Sequence, residues 1–265
     1  SNASKDNQNS NETTLVISTT SISDFQLVIP FAKGGYGRVD LYKKRTTGDI
    51  FAVKTVNIKS MKDKKLYSTL KTETQILNEI NSDYIVNCYY IIKEKSNIYY
   101  VMEYMKGGDL FSLLSSVYLL KSTIQLITAE VLLSLFYLHS KNITHRDIKP
   151  ENILINDEGH FKLTDFGLSQ CENKSNKYAV YHGSNDVLFN NDDIENSNEE
   201  LKKKLVGTLN YMAPENFTEE YEITFAVDYW ALGVLIYELY TFKVPFDAEC
   251  TNAIKENIIN IKINW

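Results

Sequence analysis

Two short motifs, close together and in a fixed order, constrain this chain more than any other feature of its sequence. The first reads His-Arg-Asp-Ile-Lys-Pro-Glu-Asn at residues 145–152, and the second reads Asp-Phe-Gly at residues 165–167. Either motif alone is short enough to occur by chance in a turn. In this order they supply the carboxylates of Asp147 and Asp165 and the amide of Asn152, hard oxygen donors of the kind that suit Mg²⁺ completed by phosphate oxygens. The pair therefore predicts a site for a phosphate-bearing ligand.

At these motifs the chain resembles the eukaryotic protein kinases, and the resemblance extends over about residues 25–265. It implies ATP and Mg²⁺ as cofactors, with Asn152 and Asp165 as the metal ligands. It also implies that Asp147 accepts or orients the proton of the substrate hydroxyl. Lys149, two residues further on, is the lysine that steadies the γ-phosphate in Ser/Thr kinases. The resemblance therefore implies transfer of the γ-phosphate to Ser or Thr of a protein substrate.

The chain before these motifs contains a lysine and a glutamate that fit the same site. The apolar run at 51–53 predicts a strand that ends at Lys54, and the resemblance implies that this lysine holds the α- and β-phosphates. The expected partner is Glu73, in a stretch at 70–80 where mostly apolar residues recur at near-helical spacing. An ordinary surface pair, worth about 0 to 1 kcal/mol, is the alternative.

The glycine-rich loop at 32–39 departs from the family pattern. Ala32 stands where the family's first glycine usually lies, while Gly34 and Gly37 keep the second and third positions. Glycine lets the backbone approach a phosphate closely, so we expect the alanine to stiffen the loop or to crowd ATP slightly.

The resemblance also implies a pocket for the adenosine part of ATP, with apolar walls and a hinge that offers backbone hydrogen bonds. For each apolar residue of this pocket, ordinary core packing is the alternative. Its other predicted members are Val39, Ala52, Met102, Glu103, Met105, Asp109 and Leu154.

The segment at 207–215 resembles the substrate-docking segment of Ser/Thr kinases, in which Thr208 contacts the catalytic loop. Before it, residues of about 172–200 are rich in Asn, Ser, Asp and Lys and predict a flexible insertion. These features resemble the AGC group, and within it the MAST and Greatwall branch. Lys204 stands where many AGC kinases carry a phosphorylatable threonine. We therefore expect a Ser or Tyr elsewhere in the insertion, phosphorylated by an upstream kinase, or the insertion's acidic cluster to meet Arg146. The alternative is that the insertion is only a solvated charged loop.

Three carboxylates lie at positions where basophilic AGC kinases have acids: Asp109, Glu151 and Glu238. They predict protein substrates with Arg or Lys two and three residues before the phosphorylated Ser or Thr. The alternative for Asp109 is that it contacts only the ATP ribose.

The resemblance implies an α+β, bilobal fold. Residues 23–104 are expected to form a small lobe with an antiparallel β-sheet and one main helix, and 105–265 a larger, mostly α-helical lobe that is incomplete at its C-terminus. Residues 1–22 are expected to be a tag remnant followed by a disordered segment. The run at 226–240 is apolar nearly all round and predicts a buried helix. Asp228, near its start, is expected to cap it and, by resemblance, to brace the catalytic loop.

Composition fits a soluble enzyme of 265 residues with a net charge of −6. Its mild acidity gives no support to nucleic-acid binding, and no signal peptide or membrane segment is visible, so a cytoplasmic or nuclear protein without membrane partners is expected. Three widely spaced cysteines suggest a reducing compartment. His139, His160 and His182 are predicted to be ordinary surface or turn residues. The alternative function is a pseudokinase-like scaffold that binds nucleotide without turnover.

Overall fold

The small lobe is built on one five-stranded antiparallel sheet. The protein is described by a computed structural model that covers residues 20–33, 37–171, 207–218 and 222–263. The strands are β1 (Phe25–Lys33), β2 (Arg38–Lys44), β3 (Ile50–Asn57), β4 (Cys88–Glu94) and β5 (Asn97–Glu103). Their order across the sheet is β1-β2-β3-β5-β4. Lys54 therefore lies on the central strand, opposite Val39 and Tyr100.

One main helix, α2 (Tyr67–Glu79), packs against this sheet and carries Glu73. Leu70, Ile76 and Leu77 on this helix are buried, because apolar residues at this spacing share one face. A shorter helix, α1 (Ile58–Asp63), precedes it. The predicted α+β fold with an antiparallel sheet and one main helix in the small lobe is confirmed.

The larger lobe is mostly helical. In the part of this lobe that the structure describes, the helices are α3 (Leu110–Leu114), α4 (Lys121–Ser140), α5 (Ala226–Thr241) and α6 (Thr251–Ile259). Short strands complete it: β6 (Gly108–Asp109), β7 (Ile143–Thr144), β8 (Ile153–Ile155), β9 (Phe161–Leu163) and β10 (Gln170–Cys171). They form a β6-β8-β9 sheet and a β10-β7 pair. The predicted boundary at residue 104 stays a prediction, and the insertion at 172–200 and most of segment 1–22 lie outside the described residues.

α5 confirms the helix predicted at 226–240 and ends one residue later. Tyr229 and Tyr240 on one side of this helix are 40% and 49% exposed, so the burial expected on nearly all faces is wrong. The buried residues share the opposite, broad side of the helix. They are Val227, Asp228, Ala231, Leu232, Val234, Leu235 and Leu239.

Among the described residues, α4 is one helix that is long and apolar enough, by length and composition alone, to cross a membrane. No such segment was expected from the sequence. In the structure this helix packs within the larger lobe, where Ile127 and Leu135 are fully buried. The carboxylate of Glu130 on the same helix accepts the backbone N–H of Phe161 at 2.7 Å. We therefore describe α4 as a core helix of the lobe.

The two lobes share the larger of two hydrophobic clusters among the described residues, and the smaller cluster lies within the small lobe. A single cluster of buried side chains includes Leu70 and Ile98 of the small lobe and Leu135 and Leu235 of the larger lobe. The backbone continues this contact, because Leu163 on β9 exchanges hydrogen bonds with the chain that leads into β4. The two lobes are therefore joined both by side-chain packing and by backbone hydrogen bonds.

Candidate active site

Lys54 joins two carboxylates that come from different elements. Its Nζ lies 2.6 Å from Oε1 of Glu73 on α2 and 3.2 Å from Oδ1 of Asp165, which follows β9. The side chains of Lys54 and Glu73 are only 14% and 5% exposed, so this ion pair is largely shielded from solvent. The structure brings the expected pair together and adds the predicted metal ligand Asp165 to it.

Glu73 and Asp165 stabilise the charged form of Lys54, and Lys54 stabilises the charged form of Asp165. Burial lowers the pKa of the Lys54 ammonium group, but Glu73 and Asp165 outweigh burial and hold this pKa above its ordinary value. Burial raises the pKa of the Asp165 carboxyl, but Lys54 and the backbone N–H of Gly167 outweigh it, and the pKa is lowered. Lys54 and Asp165 are therefore both charged at neutral pH.

Asp147, the predicted base, is held by its own loop and by the docking segment. Its Oδ2 forms an ion pair with Nζ of Lys149 and accepts a hydrogen bond from Nδ2 of Asn152, both at 2.8 Å. Its Oδ1 accepts the backbone N–H of Thr208 at 3.2 Å. Nζ of Lys149 also donates to Oγ1 of Thr208 at 2.9 Å. The docking segment and the catalytic loop are therefore joined through the carboxylate that the sequence singled out.

Asp228 on α5 holds the backbone of the same loop. Its fully buried carboxylate accepts the backbone N–H groups of His145 and Arg146, at 2.9 and 2.8 Å. The expectation that Asp228 caps α5 is wrong, because the start of this helix has no side-chain cap and both oxygens of Asp228 face the loop.

His139 was not identified by the sequence as part of this site. Its side chain is 9% exposed and its Nε2 lies 2.8 Å from Oδ2 of Asp228. Its Nδ1 lies 3.1 Å from the hydroxyl of Tyr229, and its ring stacks on Phe225. The prediction of an ordinary surface histidine is therefore wrong. The available signal was its place in the last turn of the helix that leads into the first motif.

Arg146 and Gly207 meet where the catalytic loop contacts the docking segment. Arg146 has a φ of 66°, and its guanidinium donates to the carbonyl of Leu168 at 2.7 Å and to Oε1 of Gln170 at 3.1 Å. Burial lowers the pKa of Arg146. A Cβ at Gly207 would lie 2.8 Å from the carbonyl oxygen of Arg146, so this close approach requires glycine. The insertion residues expected to meet Arg146 lie outside the described residues.

The donor set fits Mg²⁺ bound together with ATP. The hydrogen bonds of Asn152 use its Nδ2, and those of Asp165 use its Oδ1. Oδ1 of Asn152 and Oδ2 of Asp165 therefore have no hydrogen-bond partner among the described residues and can bind a cation. Among all the residues that the structure describes, no group of three or more His, Cys, Asp or Glu side chains could hold a metal ion. A cation would accordingly need phosphate oxygens to complete its coordination.

The predicted adenosine pocket draws on both lobes. Ala52 lies opposite Met102 across β3 and β5, and Val39 lies opposite Lys54 across β2 and β3. Leu154, the predicted floor, lies on β8. The apolar side chain of Met105 is buried.

The glycine-rich loop is only partly described. A Cβ at Gly37 would lie 2.5 Å from the carbonyl oxygen of Thr55, so this glycine lets the loop pack closely on β3. Gly34 and the side chain of Ala32 lie outside the described residues.

The three carboxylates predicted to bind basic substrates have different surroundings. Asp109 caps α3, because its Oδ1 accepts the backbone N–H of Ser112 at 2.7 Å and its Oδ2 accepts the Ser112 hydroxyl at 3.0 Å. Glu238 accepts a hydrogen bond from the hydroxyl of Tyr211. Burial and nearby Glu151 raise the pKa of Glu238, although the Tyr211 hydroxyl opposes them. Glu151 is exposed and close enough to Glu238 for their charges to interact.

This arrangement of a buried lysine–glutamate pair, a braced loop carboxylate and two predicted cation ligands is the one expected of a protein kinase. The sequence model of the protein kinase domain matches residues 29–264. The chain therefore belongs to the protein kinase family.

Its relatives include proteins named as serine/threonine kinases. It is 40% identical over 255 residues to the probable serine/threonine protein kinase IREH1 of Arabidopsis thaliana, a match that covers 93% of this chain and 20% of that protein. It is 34% identical over 244 residues to protein kinase 3 of Dictyostelium discoideum, covering 92% and 25%. It is 31% identical over 246 residues to a cAMP-dependent protein kinase, catalytic subunit-like, of Caenorhabditis elegans, covering 92% and 55%. The chain thus spans between about a fifth and about half of these relatives.

Proposed function

We propose that this protein transfers the γ-phosphate of Mg-ATP to Ser or Thr hydroxyls of proteins. The observation that supports this most is the contact of Asp147 with both Lys149 and Thr208, at 2.8 and 3.2 Å. It joins the expected base, the expected γ-phosphate lysine and the expected docking segment in one hydrogen-bonded group. The relatives named as serine/threonine kinases support the same proposal.

In this reaction the substrate oxygen forms a bond to the γ-phosphorus, and the bond from that phosphorus to ADP breaks. Asp147 takes up or orients the hydroxyl proton, while Lys149 lies beside it to offset charge on the transferred group. Lys54, fixed by Glu73, holds the α- and β-phosphates. Mg²⁺, when bound, neutralises charge on the phosphate oxygens. Turnover of a competent enzyme of this kind is about 1 to 100 per second.

We propose a preference for Arg or Lys two and three residues before the target. Glu151 and Glu238 support it, because two neighbouring carboxylates favour a cation between them. Asp109 supports it less, since its two oxygens already bind Ser112. The AGC-like assignment, its MAST and Greatwall branch, an upstream activating kinase and a cytoplasmic or nuclear location are further proposals that rest on the sequence.

The second candidate is a scaffold that binds nucleotide without turnover. Two departures from the family pattern favour it: Ala32 replaces the first glycine of the loop, and Lys204 replaces the threonine that many AGC kinases phosphorylate. The intact residues around Lys54 and Asp147 oppose it.

The test measures transfer of labelled phosphate from Mg-ATP to a positional Ser/Thr peptide library, with wild type and Asp147→Asn side by side. We expect activity in wild type, a loss of at least about 100-fold in the variant, and selection of Arg or Lys before the target. Asp157→Asn, at a 59% exposed aspartate outside residues 145–152 that pairs with Lys106, is the matched control and should keep full activity. Nucleotide binding without transfer in all three proteins would support the scaffold instead, and selection of acidic residues would refute the basic preference.

A further inference from the structure

The side chain of Glu103, at the start of the hinge, connects three segments that are distant in sequence. Nζ of Lys162 lies 2.8 and 2.9 Å from its two carboxylate oxygens. Asn87 donates to Oε2 from its backbone N–H and from Nδ2, both at 3.3 Å. The main chain follows the same path, because the N–H of Glu103 donates to the carbonyl of Asn87 at 2.9 Å. These three residues form one continuous polar cluster.

This cluster lies beside the proposed nucleotide cleft and crosses from one lobe to the other. Glu103 is the last residue of β5 in the small lobe. Lys162 lies on β9 of the larger lobe, directly opposite Leu154, the predicted floor of the adenine pocket. Asp165, the predicted metal ligand, follows three residues after Lys162. A single side-chain contact therefore fixes the hinge relative to the floor of the pocket and to the strand that leads to the metal ligand.

The environment of this ion pair makes it stronger than a surface pair. The side chains of Lys162 and Glu103 are 11% and 20% exposed, so solvent and salt screen their attraction less. Removing one partner would leave a charge that is poorly solvated. The pair of Lys106 and Asp157 has a similar length of 2.6 Å but is 60% and 59% exposed, and pairs of that kind contribute little.

We propose that Lys162, Glu103 and Asn87 form an inter-lobe clamp that sets the affinity of the cleft for Mg-ATP. Lys162 is a positioning residue here, because it acts through the hinge and through β9 and need not touch the nucleotide. A contact that fixes the shape of the nucleotide site affects the affinity for nucleotide more than it affects the rate of phosphate transfer. The proposal rests on the ATP cleft of the proposed function but does not require turnover.

The test is calorimetric titration of Mg-ATP into wild type, Lys162→Met and Lys106→Met. We expect the dissociation constant to rise about tenfold in Lys162→Met and to stay unchanged in Lys106→Met, which removes the same charge from an exposed pair. Lys162→Arg keeps a cation at this point and should restore most of the affinity. In a peptide assay, the KM for ATP should rise in Lys162→Met while kcat changes less than about twofold.

Because binding is measured directly, the clamp is tested even if no phosphate transfer is found. Should Lys162→Met fail to fold, Glu103→Gln replaces it, since the amide keeps an acceptor for Asn87 but loses the charge that attracts Lys162. An unchanged dissociation constant in a folded variant would overturn the proposal. Tighter binding would overturn it too, and so would a fall in kcat at constant affinity.

Discussion

Asp228→Ala is expected to destabilise the protein strongly, because it removes the acceptor for buried donors of the catalytic loop. The backbone N–H groups of His145 and Arg146 lie 2.9 and 2.8 Å from its carboxylate, which is fully buried. Each buried donor left unsatisfied costs about 1 to 3 kcal/mol, so these two predict a loss of about 2 to 6 kcal/mol. His139, which loses its contact at 2.8 Å, adds to this. Domains of this kind have a total stability of only about 5 to 15 kcal/mol.

Thermal unfolding of the purified variants measures the effect. At about 2 to 4 °C per kcal/mol for a chain of this size, the melting temperature should fall by about 4 to 24 °C. Asp228→Asn keeps one acceptor oxygen and should lie between alanine and wild type. Asp157→Ala, at an exposed ion pair, is the control and should change stability by less than about 0.5 kcal/mol. If Asp228→Ala has the same melting temperature as this control, the conclusion that Asp228 braces the catalytic loop is wrong.

Two further substitutions test local geometry and charge. Gly207→Ala places a Cβ 2.8 Å from the carbonyl of Arg146 at a φ of 109°, whereas Gly159→Ala meets nothing within 4 Å at a φ of 88°; Gly207→Ala should therefore lower the melting temperature more, and equal losses would contradict the close contact. Glu130 raises the pKa of His160 above 6.5, so the protonated histidine stabilises the fold at low pH and this gain is lost as pH rises through the folded-state pKa. The difference in melting temperature between wild type and His160→Gln should be largest near about pH 5.5 and should shrink as the pH rises to about 9. A difference that stays constant with pH would count against the interaction of His160 with Glu130.

The sequence could place the main charged residues of the site, because motif order limits where they lie. Lys54 was expected at a strand opposite a helix with Glu73, and the structure has this pair at 2.6 Å. The helix at 226–240 was predictable from its apolar composition alone. These successes concern residues whose positions follow from local pattern and from order along the chain. The roles of the site residues in binding and catalysis stay predictions until they are measured.

Contacts that depend on the rotation and register of packed elements could not be predicted in the same way. Periodicity predicts that a helix has a buried face, but it does not say which polar group meets a given side chain. Asp228 was expected both to cap its own helix and, by resemblance, to brace the catalytic loop, and only the contact with the loop is present. Lys162 and Glu103 are 59 residues apart, and nothing in the local sequence of either residue indicates the other. The same holds for His139, whose partner comes from a separate helix.

The hydrophobic core that the two lobes share has a consequence for how the protein unfolds. Leu70 of the small lobe and Leu235 of the larger lobe belong to one buried cluster, so neither lobe can lose its part of this cluster without exposing apolar surface of the other. Opening of this cluster from either lobe then requires most of the free energy of global unfolding. The most protected amides in both lobes should accordingly exchange with solvent hydrogen through the same cooperative event, and a nucleotide bound between them would slow that exchange in both lobes together.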